Sequence, residues 1–378
     1  MRKSMTRQKT IIVSATSDLT TDQRVHKTCM ELQHAGYRVV CVGRRLKSSL
    51  AITRPYKVVR FRLPAERGIF FYASYQIWLF LYLLTHRADG LWSNDLDTLL
   101  PNWLISKVKD IPLAYDSHEY YCGSPEVLYR PLRYKVWKSL ENFLLPRLSN
   151  ILTVNASIAR IYSDEYGVNT TYVRNISPLP TDIPKIKRTK LGYTPQDFVL
   201  IAQGRGLNVG RGLEELLEAF PLLPTNVKLL IIGSGNALEA ILKKIQFLHL
   251  HERVKHLQPL PYAEMLGYTR IADAGISLDK TDAPNYLYSL PNKIFDFIHC
   301  SIPILGSQAI EVKYLIEHYQ IGEIIESHRP EDIASAVNAL MQKGKSYYLP
   351  GLQKASAELR WEVEVKKLRD FIAKNFSH

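Results

Sequence analysis

Two stretches far apart in the chain carry residues suited to binding phosphate. The first is the glycine-rich loop 204–212, which lies between a predicted strand and a predicted helix and contains Arg205 and Arg211. Glycines let the backbone approach phosphate oxygens closely, and guanidinium groups pair with those oxygens through two parallel hydrogen bonds. The loop matches neither a dinucleotide fingerprint nor a P-loop. It predicts a phosphate site of another kind, with a basic surface turn as the alternative.

The second stretch, residues 289–297, predicts the start of a helix. Ser289 can cap this helix, and Pro291 can occupy its first turn, where a missing N–H costs nothing. The free amides and the positive dipole end of such a helix attract phosphate. Asp296, about one turn in, can accept two hydroxyls of a ribose. We interpret the stretch as a site for a nucleoside-diphosphate sugar, with a buried helix and a solvated Asp296 as the alternative.

Composition limits the class of protein. The 378 residues suffice for two or three domains, 46% of them are apolar, and the net charge is +13. This balance favours polyanionic partners: nucleic acid, an anionic membrane face or phosphorylated substrates. The four cysteines show no spacing typical of a zinc site or a disulfide framework, so we expect reduced thiols in a cytosol.

Two stretches, residues 1–9 and 69–84, are candidates for a signal peptide or a membrane span, and neither has the expected form. Residues 1–9 are basic and lead directly into a strand without a separate apolar region, which predicts no signal peptide. The apolar stretch 69–84 is shorter than the ~20 residues of a membrane span and is interrupted by Ser74 and Gln76. We predict a buried or interfacial helix there.

A repeated order of strand and helix organises the chain. Residues 10–15 form a β-rich run, residues 23–36 have helical periodicity, and residues 38–43 are the next strand, which makes a βαβ unit. We predict an α/β fold of two doubly wound, Rossmann-like domains facing each other across a cleft, with ligands beyond the carboxyl ends of the strands. Further strands are predicted at 58–63, 88–93, 112–116, 150–154, 172–175, 198–203, 227–232, 254–257, 274–278 and 302–306, and further helices at 130–148, 157–166, 212–220, 238–248, 263–271 and 355–376.

These motifs together resemble the retaining glycosyltransferases of family 4, which have the two-domain GT-B fold. In that family a Gly-Arg pair is followed six residues later by Lys, and both cations bind the donor diphosphate. Gly204, Arg205 and Arg211 match this motif, with arginine in place of lysine. The family also has two Glu residues separated by seven others, one near the transferred sugar and one on the ribose. Asp296 matches the second, and Tyr288 replaces the first, which leaves the donor sugar open.

The predicted donor site includes residues beside these motifs. Lys293 can add a third cation near the phosphates or belong to a solvated face, and Gly233 lies in a second tight turn between a strand and a helix. The resemblance implies a nucleotide-sugar substrate, no cofactor and no requirement for a metal. The predicted donor-binding residues are Gly204, Arg205, Arg211, Gly233, Tyr288, Leu290, Asn292, Lys293 and Asp296.

The resemblance also gives the domains their roles. Residues 177–190 hold three prolines and four basic residues and no strand or helix pattern, so we predict a linker. It joins an acceptor-side domain, residues 1–176, to a nucleotide-sugar-binding domain, residues 191–352. Residues 353–378 are predicted to return to the first domain as a helix, with Trp361 packed near the crossing.

His118 and Glu119 are the predicted catalytic residues on the acceptor side. They follow a strand end, and family members often carry a His there that contacts the sugar or the acceptor. In a retaining transferase the leaving phosphate is thought to take the acceptor proton, so His118 is expected to position groups rather than act as a base. The alternative is a helix-capping box in which Ser117 is the cap.

Four more residues are predicted to line the acceptor side. Asn94 and Asp95 are interpreted as lining residues or loop caps; Asp95 and Asp97 imitate a metal-binding motif of another glycosyltransferase class, and we predict no metal there. Asp22 and Arg24 face the cleft or cap the first helix, and capping is the favoured role of Asp22.

Basic and aromatic residues alternate at 129–138, and three arginines precede the apolar stretch 69–84. Such surfaces bind anionic headgroups, so we predict peripheral contact with an anionic membrane, a cytoplasmic location at the inner face of the plasma membrane, and a glycan or lipid-linked acceptor. Since no nucleic-acid-binding motif is present, nucleic acid is not an expected partner. Two other functions stay open: a GT-B sugar-nucleotide 2-epimerase, and a non-catalytic nucleotide or polyanion binder.

Overall fold

The computed structural model describes residues 7–376, which divide into two α/β units. Residues 1–6, which carry most of the run that predicts no signal peptide, lie outside the described residues. Of the described residues, the first unit comprises 7–175 and 364–376, and the second comprises 176–363. Two parallel sheets with helices packed on them confirm the predicted fold class.

The first unit is a doubly wound sheet of seven strands. The strands are β1 (Thr10–Asp18), β2 (Arg38–Arg44), β3 (Lys57–Phe61), β4 (Gly90–Asn94), β5 (Leu113–Ser117), β6 (Ile151–Thr153) and β7 (Thr170–Tyr172). The helices are α1 (Gln23–His34), α2 (Gly68–Thr85), α3 (Leu96–Lys109), α4 (Pro125–Leu128), α5 (Pro131–Leu144) and α6 (Ala156–Tyr166). The strands lie in the order β3-β2-β1-β4-β5-β6-β7, so the order reverses between β1 and β4. Ligands of such sheets bind at the carboxyl ends of the strands beside this reversal.

The second unit repeats the arrangement with six strands. The strands are β8 (Phe198–Gly204), β9 (Val227–Gly233), β10 (Val254–Leu257), β11 (Ala274–Ser277), β12 (Ile304–Gly306) and β13 (Gly322–Ile324). The helices are α7 (Leu213–Ala219), α8 (Leu238–Phe247), α9 (Tyr262–Arg270), α10 (Pro284–Leu287), α11 (Lys293–His299), α12 (Ile310–Tyr319) and α13 (Pro330–Glu358), and α14 (Trp361–Phe376) follows them. The strand order β10-β9-β8-β11-β12-β13 reverses between β8 and β11.

The last helix belongs to the first unit from Glu364 onward. Its apolar face includes Phe371, whose ring packs edge-on against the buried Trp92 of β4 at a centroid distance of 5.6 Å. Glu364 is buried and accepts hydrogen bonds from the backbone and guanidinium of Arg174, at 2.9 and 3.1 Å. The single helix predicted at 355–376 is wrong, because α13 ends at Glu358 and α14 begins at Trp361.

Several elements lack the periodicity that sequence patterns detect. Helix α3 contains Pro101 and buries Asn102, which accepts a hydrogen bond from Ser14 at 3.1 Å. Helix α13 has a non-helical break at Gly344. Helix α3, helix α12, most of α13 and strand β13 were not predicted. In α3 the buried Asn102 interrupts the apolar pattern, and β13 is only three residues long.

Helix α5 turns a different side to the core than its apolar residues suggest. Val136 and Phe143, whose spacing from Leu140 and Leu144 would place all four on one helix face, are 64% and 44% exposed. Trp137 is buried instead and packs edge-on against Tyr121 at 5.2 Å. The exposed apolar residues of α5 therefore form part of the protein surface.

Candidate functional site

Two glycine turns fix the glycine-rich loop of the second unit. Gly233, at the end of β9, has φ of +139°, and a Cβ atom there would lie 1.8 Å from the carbonyl oxygen of Gly204. Two residues later, a Cβ atom at Gly235 would lie 2.2 Å from the carbonyl oxygen of Leu207. The amide of Leu207 donates to the carbonyl of Ser234 at 3.0 Å. A side chain at these glycines would displace the loop from the next strand, so Gly233 acts by allowing close approach.

Two cations, Arg211 and Lys293, line one cavity beside this loop, together with Gly206 and Asn208. Nη1 of Arg211 lies 3.2 Å from Oδ2 of Asp279, and Nζ of Lys293 lies 3.9 Å from Oδ1 of the same carboxyl group. Burial lowers the pKa of Lys293 and Arg211 lowers it further, whereas Asp279 raises it. Lys293 is thus not on a fully solvated face, and the cavity combines two cations with exposed backbone.

Arg205 occupies a different position in the loop. Its side chain is exposed, makes no hydrogen bond with another residue in the range 7–376, and does not line the cavity. Gly206, the next residue, does line it. The structure therefore brings Arg211 and Lys293 together and leaves Arg205 as a solvent-facing cation at the edge of the same loop.

Asp296 is buried in the first turn of α11, so the alternative of a solvated carboxylate is wrong. Its Oδ1 accepts a hydrogen bond from the hydroxyl of Tyr262 at 2.7 Å, and its Oδ2 accepts one from Nε2 of Gln203 at 3.1 Å. Burial raises the pKa of Asp296 to about 7, although both hydrogen bonds lower it. Gln203 also lines the cavity and so connects Asp296 to it. Each carboxylate oxygen keeps a second acceptor position for a ribose hydroxyl.

The segment before α11 differs from the predicted helix start. Ser289 does not cap the helix, because its hydroxyl donates to the carbonyl of Tyr286 at 2.9 Å and α11 begins only at Lys293. Asn292 is the exposed N-cap residue and makes no side-chain capping bond. Tyr288 is half-buried, and Leu290 packs at the edge of the core. The helix is only seven residues long, so the cavity depends on side chains more than on a helix dipole.

In the first unit, His118 follows β5 and is surrounded by polar groups from two strand ends. Its Nε2 lies 3.1 Å from Oδ1 of the buried Asn94 and 3.7 Å from Oδ2 of Asp116. Its Nδ1 lies 3.5 Å from Oδ2 of Asp95, and Oδ1 of Asp95 accepts a hydrogen bond from the His118 amide at 2.8 Å. Burial lowers the pKa of His118, but Asp95 and Asp116 outweigh burial and raise it to about 9. At neutral pH the side chain is an imidazolium, which donates hydrogen bonds and cannot accept a proton.

Arg24 and Asp116 form a buried ion pair beneath His118. Nη2 of Arg24 lies 2.6 Å from Oδ1 of Asp116, and Nη1 donates to the carbonyl of Val173 at 2.8 Å. Burial raises the pKa of Asp116, yet Arg24 and His118 hold it at about 2. The guanidinium of Arg24 thus joins α1, β5 and the segment after β7, and its donors serve the fold of the unit.

Asp22 caps the first helix as predicted. Its Oδ1 accepts a hydrogen bond from the amide of Val25 at 2.9 Å, and Asp22 is the N-cap residue of α1. This bond satisfies one of the amides that a helix leaves unpaired at its start.

The alternative in which Ser117 caps a helix is wrong. Ser117 is the last residue of β5, and its hydroxyl donates to the carbonyl of Glu119 at 2.7 Å. Glu119 is half-buried directly after His118. The segment is therefore a strand end that presents His118 and Glu119, rather than the start of a helix.

Asp95 and Asp97, the pair that imitates a metal-binding motif, lie close to each other, and Asp95 contacts His118. Asp97 is buried in α3 and accepts a hydrogen bond from Thr16 at 2.6 Å. Burial, and then the charge of Asp95, raise the pKa of Asp97 to about 7. Within the part of the chain that the structure describes, no three His, Cys, Asp or Glu side chains are grouped so as to hold a metal ion.

Two family models match the chain, one in each unit. Residues 22–178 match the model described as Glycosyltransferase Family 4, and residues 185–348 match the model described as Glycosyl transferases group 1. The chain belongs to the family 4 glycosyltransferases. No curated protein matches its sequence.

Solved structures show that this glycosyltransferase has the GT-B fold. Sucrose-phosphate synthase from Thermosynechococcus elongatus is 14% identical with a TM-score of 0.79, over 97% of this chain and 99% of that one. Anabaena HepE in complex with UDP and glucose is 18% identical with a TM-score of 0.73, over the same shares of both chains. WaaG, a glycosyltransferase of lipopolysaccharide biosynthesis, is 14% identical with a TM-score of 0.71, over 96% of this chain and 98% of that one.

Sequence reasoning missed three polar residues of the glycosyltransferase's second unit. Gln203 and Tyr262 hold Asp296, and Asp279 lies between Arg211 and Lys293. Asp279 could have been found, because it follows a predicted strand at the carboxyl edge where ligands of such sheets bind. The partners of Asp296 carry no such signal, since a Gln inside a strand and a Tyr at a helix start are common.

The charge state of His118 can be tested by NMR. In a pH titration of the imidazole signals we expect His118 to titrate near pH 9, because Asp95 and Asp116 stabilise its charged form. His26 of α1 is the internal control, since burial and then Arg54 lower its pKa below 6.5. A His118→Gln variant identifies the signal by its loss.

The same shift predicts a pH dependence of stability. The unfolded pKa is about 6.5, so the stabilisation from charged His118 is complete below about pH 6.5 and is lost as the pH rises through about 9. The free energy of unfolding should therefore fall less steeply over this window in His118→Gln than in the wild type. Titration of His118 near pH 6.5 with parallel stability curves would contradict the assignment.

Proposed function

We propose that this glycosyltransferase moves a sugar from a nucleoside-diphosphate sugar to a glycan or lipid-linked acceptor, with retention of the anomeric configuration. The observation that carries the proposal is that Arg211 and Lys293 line one cavity with the glycine-rich loop after β8. Two cations beside an exposed glycine of the loop, Gly206, suit a diphosphate. A uridine nucleotide is the first donor to test, because HepE has been solved with UDP and with UDP-glucose.

In the proposed reaction the acceptor hydroxyl bonds to the anomeric carbon as the bond from that carbon to the diphosphate breaks. The leaving diphosphate takes the proton of the hydroxyl, and Arg211 and Lys293 stabilise its charge. His118, held as a cation by its two carboxylates, donates a hydrogen bond to the sugar or the acceptor, with Glu119 beside it. Asp296 accepts the ribose hydroxyls. The scheme uses no metal and no cofactor.

A ligand screen tests the donor assignment. We expect one of UDP, GDP or ADP, or a sugar conjugate of it, to raise the melting temperature, because a ligand that binds the native state stabilises it. With that donor and an acceptor extract, NMR of the product should show the anomeric configuration of the donor. An inverted product would contradict retention, and an epimerised donor in the absence of any acceptor would favour the epimerase function. Failure of every nucleotide to bind would contradict the whole proposal.

Arg205 provides a variant that should leave the fold intact. The side chain is exposed and unbonded, so Arg205→Ala should unfold at the wild-type temperature. If Arg205 reaches the diphosphate, its loss removes a charge-assisted hydrogen bond and weakens nucleotide affinity by about 10-fold or more. Arg360→Ala, at another exposed arginine of the second unit, is the control and should bind normally. Equal calorimetric Kd values for the Arg205 variant and the wild type would remove Arg205 from the site.

We also propose that the first unit contacts an anionic membrane, with α2 as the contacting element. Helix α2 has no charged residue and is long and apolar enough to cross a membrane, yet only 28% of it is buried. Its buried side includes Tyr75, whose hydroxyl donates to the carbonyl of Ala15 at 2.7 Å, so the helix is anchored on the sheet. One side of the helix thus serves the core while the other faces outward.

The outward side of α2 is an apolar stripe: Phe70, Ile77, Leu81 and Leu84, which are 79%, 62%, 53% and 42% exposed. Their spacing of seven, four and three residues places them on one helix face. Exposed Arg62 and Arg67 precede the stripe, and exposed Arg87 follows it. An apolar stripe flanked by cations suits an interface with anionic lipid rather than a water-exposed surface. A cytoplasmic enzyme at the inner face of the plasma membrane, serving the synthesis of cell-surface glycans, is the proposed setting.

Vesicle sedimentation tests the membrane contact. We expect the protein to sediment with vesicles of phosphatidylcholine and phosphatidylglycerol, and less with phosphatidylcholine alone. The double variant Ile77→Glu/Leu81→Glu should bind at least about 10-fold more weakly, because it removes apolar area and adds negative charge. Phe247→Glu is the matched control, since Phe247 is an 80% exposed apolar residue of the second unit. Binding that is absent, or unchanged in the double variant, would contradict the proposal.

A further inference from the structure

Within the part of the chain that the structure describes, Asp279 is a buried carboxylate that lacks the hydrogen bonds which usually stabilise a buried charge. The residue is 1% exposed, and neither of its carboxylate oxygens accepts a hydrogen bond from any residue of the described range. Its charged neighbours are Arg211, at 3.2 Å, and Lys293, at 3.9 Å. A buried carboxylate without hydrogen bonds destabilises a fold unless nearby cations compensate for it. Its presence here therefore points to a role that depends on those two cations.

The backbone holds Asp279 at this position. The amide of Lys280 donates to the carbonyl of Gly210 at 2.8 Å. At Gly212, where φ is +73°, a Cβ atom would lie 2.2 Å from the carbonyl oxygen of Leu278. The segments on either side of Arg211 and of Asp279 are thus packed on each other. The ion pair follows from this packing and from the adjacency of β8 and β11 at the strand-order reversal.

The two cations need such a partner. Arg211 and Lys293 line the same cavity with side chains only 29% and 19% exposed, so solvent screens their repulsion incompletely. A buried lysine can lose its proton, whereas a guanidinium group in a protein keeps its charge. Of the groups that face Lys293, Arg211 disfavours its charged form and Asp279 favours it. Removal of the carboxylate would leave a lysine that deprotonates more easily.

We infer that Asp279 is a positioning residue of the donor site, which keeps Arg211 and Lys293 together as a pair of cations directed at the diphosphate. The inference rests on the proposed function and adds a residue that touches no ligand. The guanidinium has five N–H donors and the ammonium three, so contact with Asp279 leaves donors for phosphate oxygens. The carboxylate fixes the geometry of both side chains before the nucleotide arrives, which reduces the entropy lost on binding.

The test compares UDP affinity in the wild type and in Asp279→Asn by calorimetry between pH 7 and 9, above the second phosphate ionisation near pH 6. At pH 7 we expect the variant to bind UDP about 10-fold more weakly than the wild type. The difference in affinity should grow as the pH rises toward 9, because without the carboxylate of Asp279 the ammonium of Lys293 loses its proton more easily. At pH 9 the double variant Asp279→Asn/Lys293→Arg should bind UDP more tightly than Asp279→Asn does, because arginine keeps its charge.

Asp273→Asn is the matched control. Asp273 precedes β11 as Asp279 follows it, and its carboxylate accepts hydrogen bonds from Arg188 and from the amide of Val199, each at 2.7 Å. This substitution should lower the melting temperature without changing the Kd of UDP or its pH dependence. The control separates a general loss of stability from a specific effect on the cations.

The possible results distinguish the inference from the proposed function. If the wild type binds UDP and Asp279→Asn binds it equally well or more tightly across the pH range, Asp279 does not position the cations and the inference is wrong. If no nucleoside diphosphate binds the wild type, the proposed function fails and takes the inference with it. Should Asp279→Asn fail to fold, Asp279→Glu keeps the carboxylate and should keep the wild-type pH profile; a steeper loss of affinity toward pH 9 would overturn the inference.

Discussion

In each unit, the placement of charge depends on one constraint: a carboxylate buried at the carboxyl end of a parallel strand requires cations close to it. In the first unit Asp116 satisfies this constraint through Arg24, whose Nη2 lies 2.6 Å away, and through His118. In the second unit Asp279 follows β11 and lies between two cations from other segments. The carboxylate brings together groups that the chain supplies from distant positions. Cations held in this way are ordered in the absence of a ligand, which is the property that binding an anionic substrate requires.

The carboxylates of Asp116 and Asp279 differ in how many hydrogen bonds they accept. Asp116 accepts hydrogen bonds from Nε and Nη2 of the Arg24 guanidinium, which also donates to the backbone carbonyls of Val173 and Thr153, so most donors of Arg24 are used by the fold. Asp279 has ion-pair contacts but accepts no hydrogen bond from residues 7–376, and its partners retain N–H donors that do not bond to it. The first arrangement supports a structure and holds the proton of His118 in place. The arrangement around Asp279 leaves Arg211 and Lys293 available to another anion. For this reason the proposed donor site lies in the second unit.

Much of the fold could be predicted because many of its strands are short apolar runs that alternate with helices along the chain. Predicted strands such as residues 198–203 and 227–232 begin where β8 and β9 begin and end one residue earlier. Helix α3 was missed because the buried Asn102 and the internal Pro101 disrupt its apolar pattern, and Asn102 is satisfied by a strand 88 residues away. Such pairings depend on tertiary structure, which no local pattern in a single sequence records.

In the candidate site, too, some features follow from local sequence patterns and others depend on tertiary structure. Spacing and residue type identified Arg211 and Asp296, whose motifs are local, but gave Ser289 a capping role that the late start of α11 rules out. The position of Asp279 after a predicted strand marks it as a candidate, but its residue type does not set it apart, since an aspartate after a strand is common in turns. Its importance follows from burial without a hydrogen bond, which is visible only in three dimensions. Local sequence motifs thus point to the cations of the second unit, whereas the role of Asp279 in holding them together depends on tertiary structure.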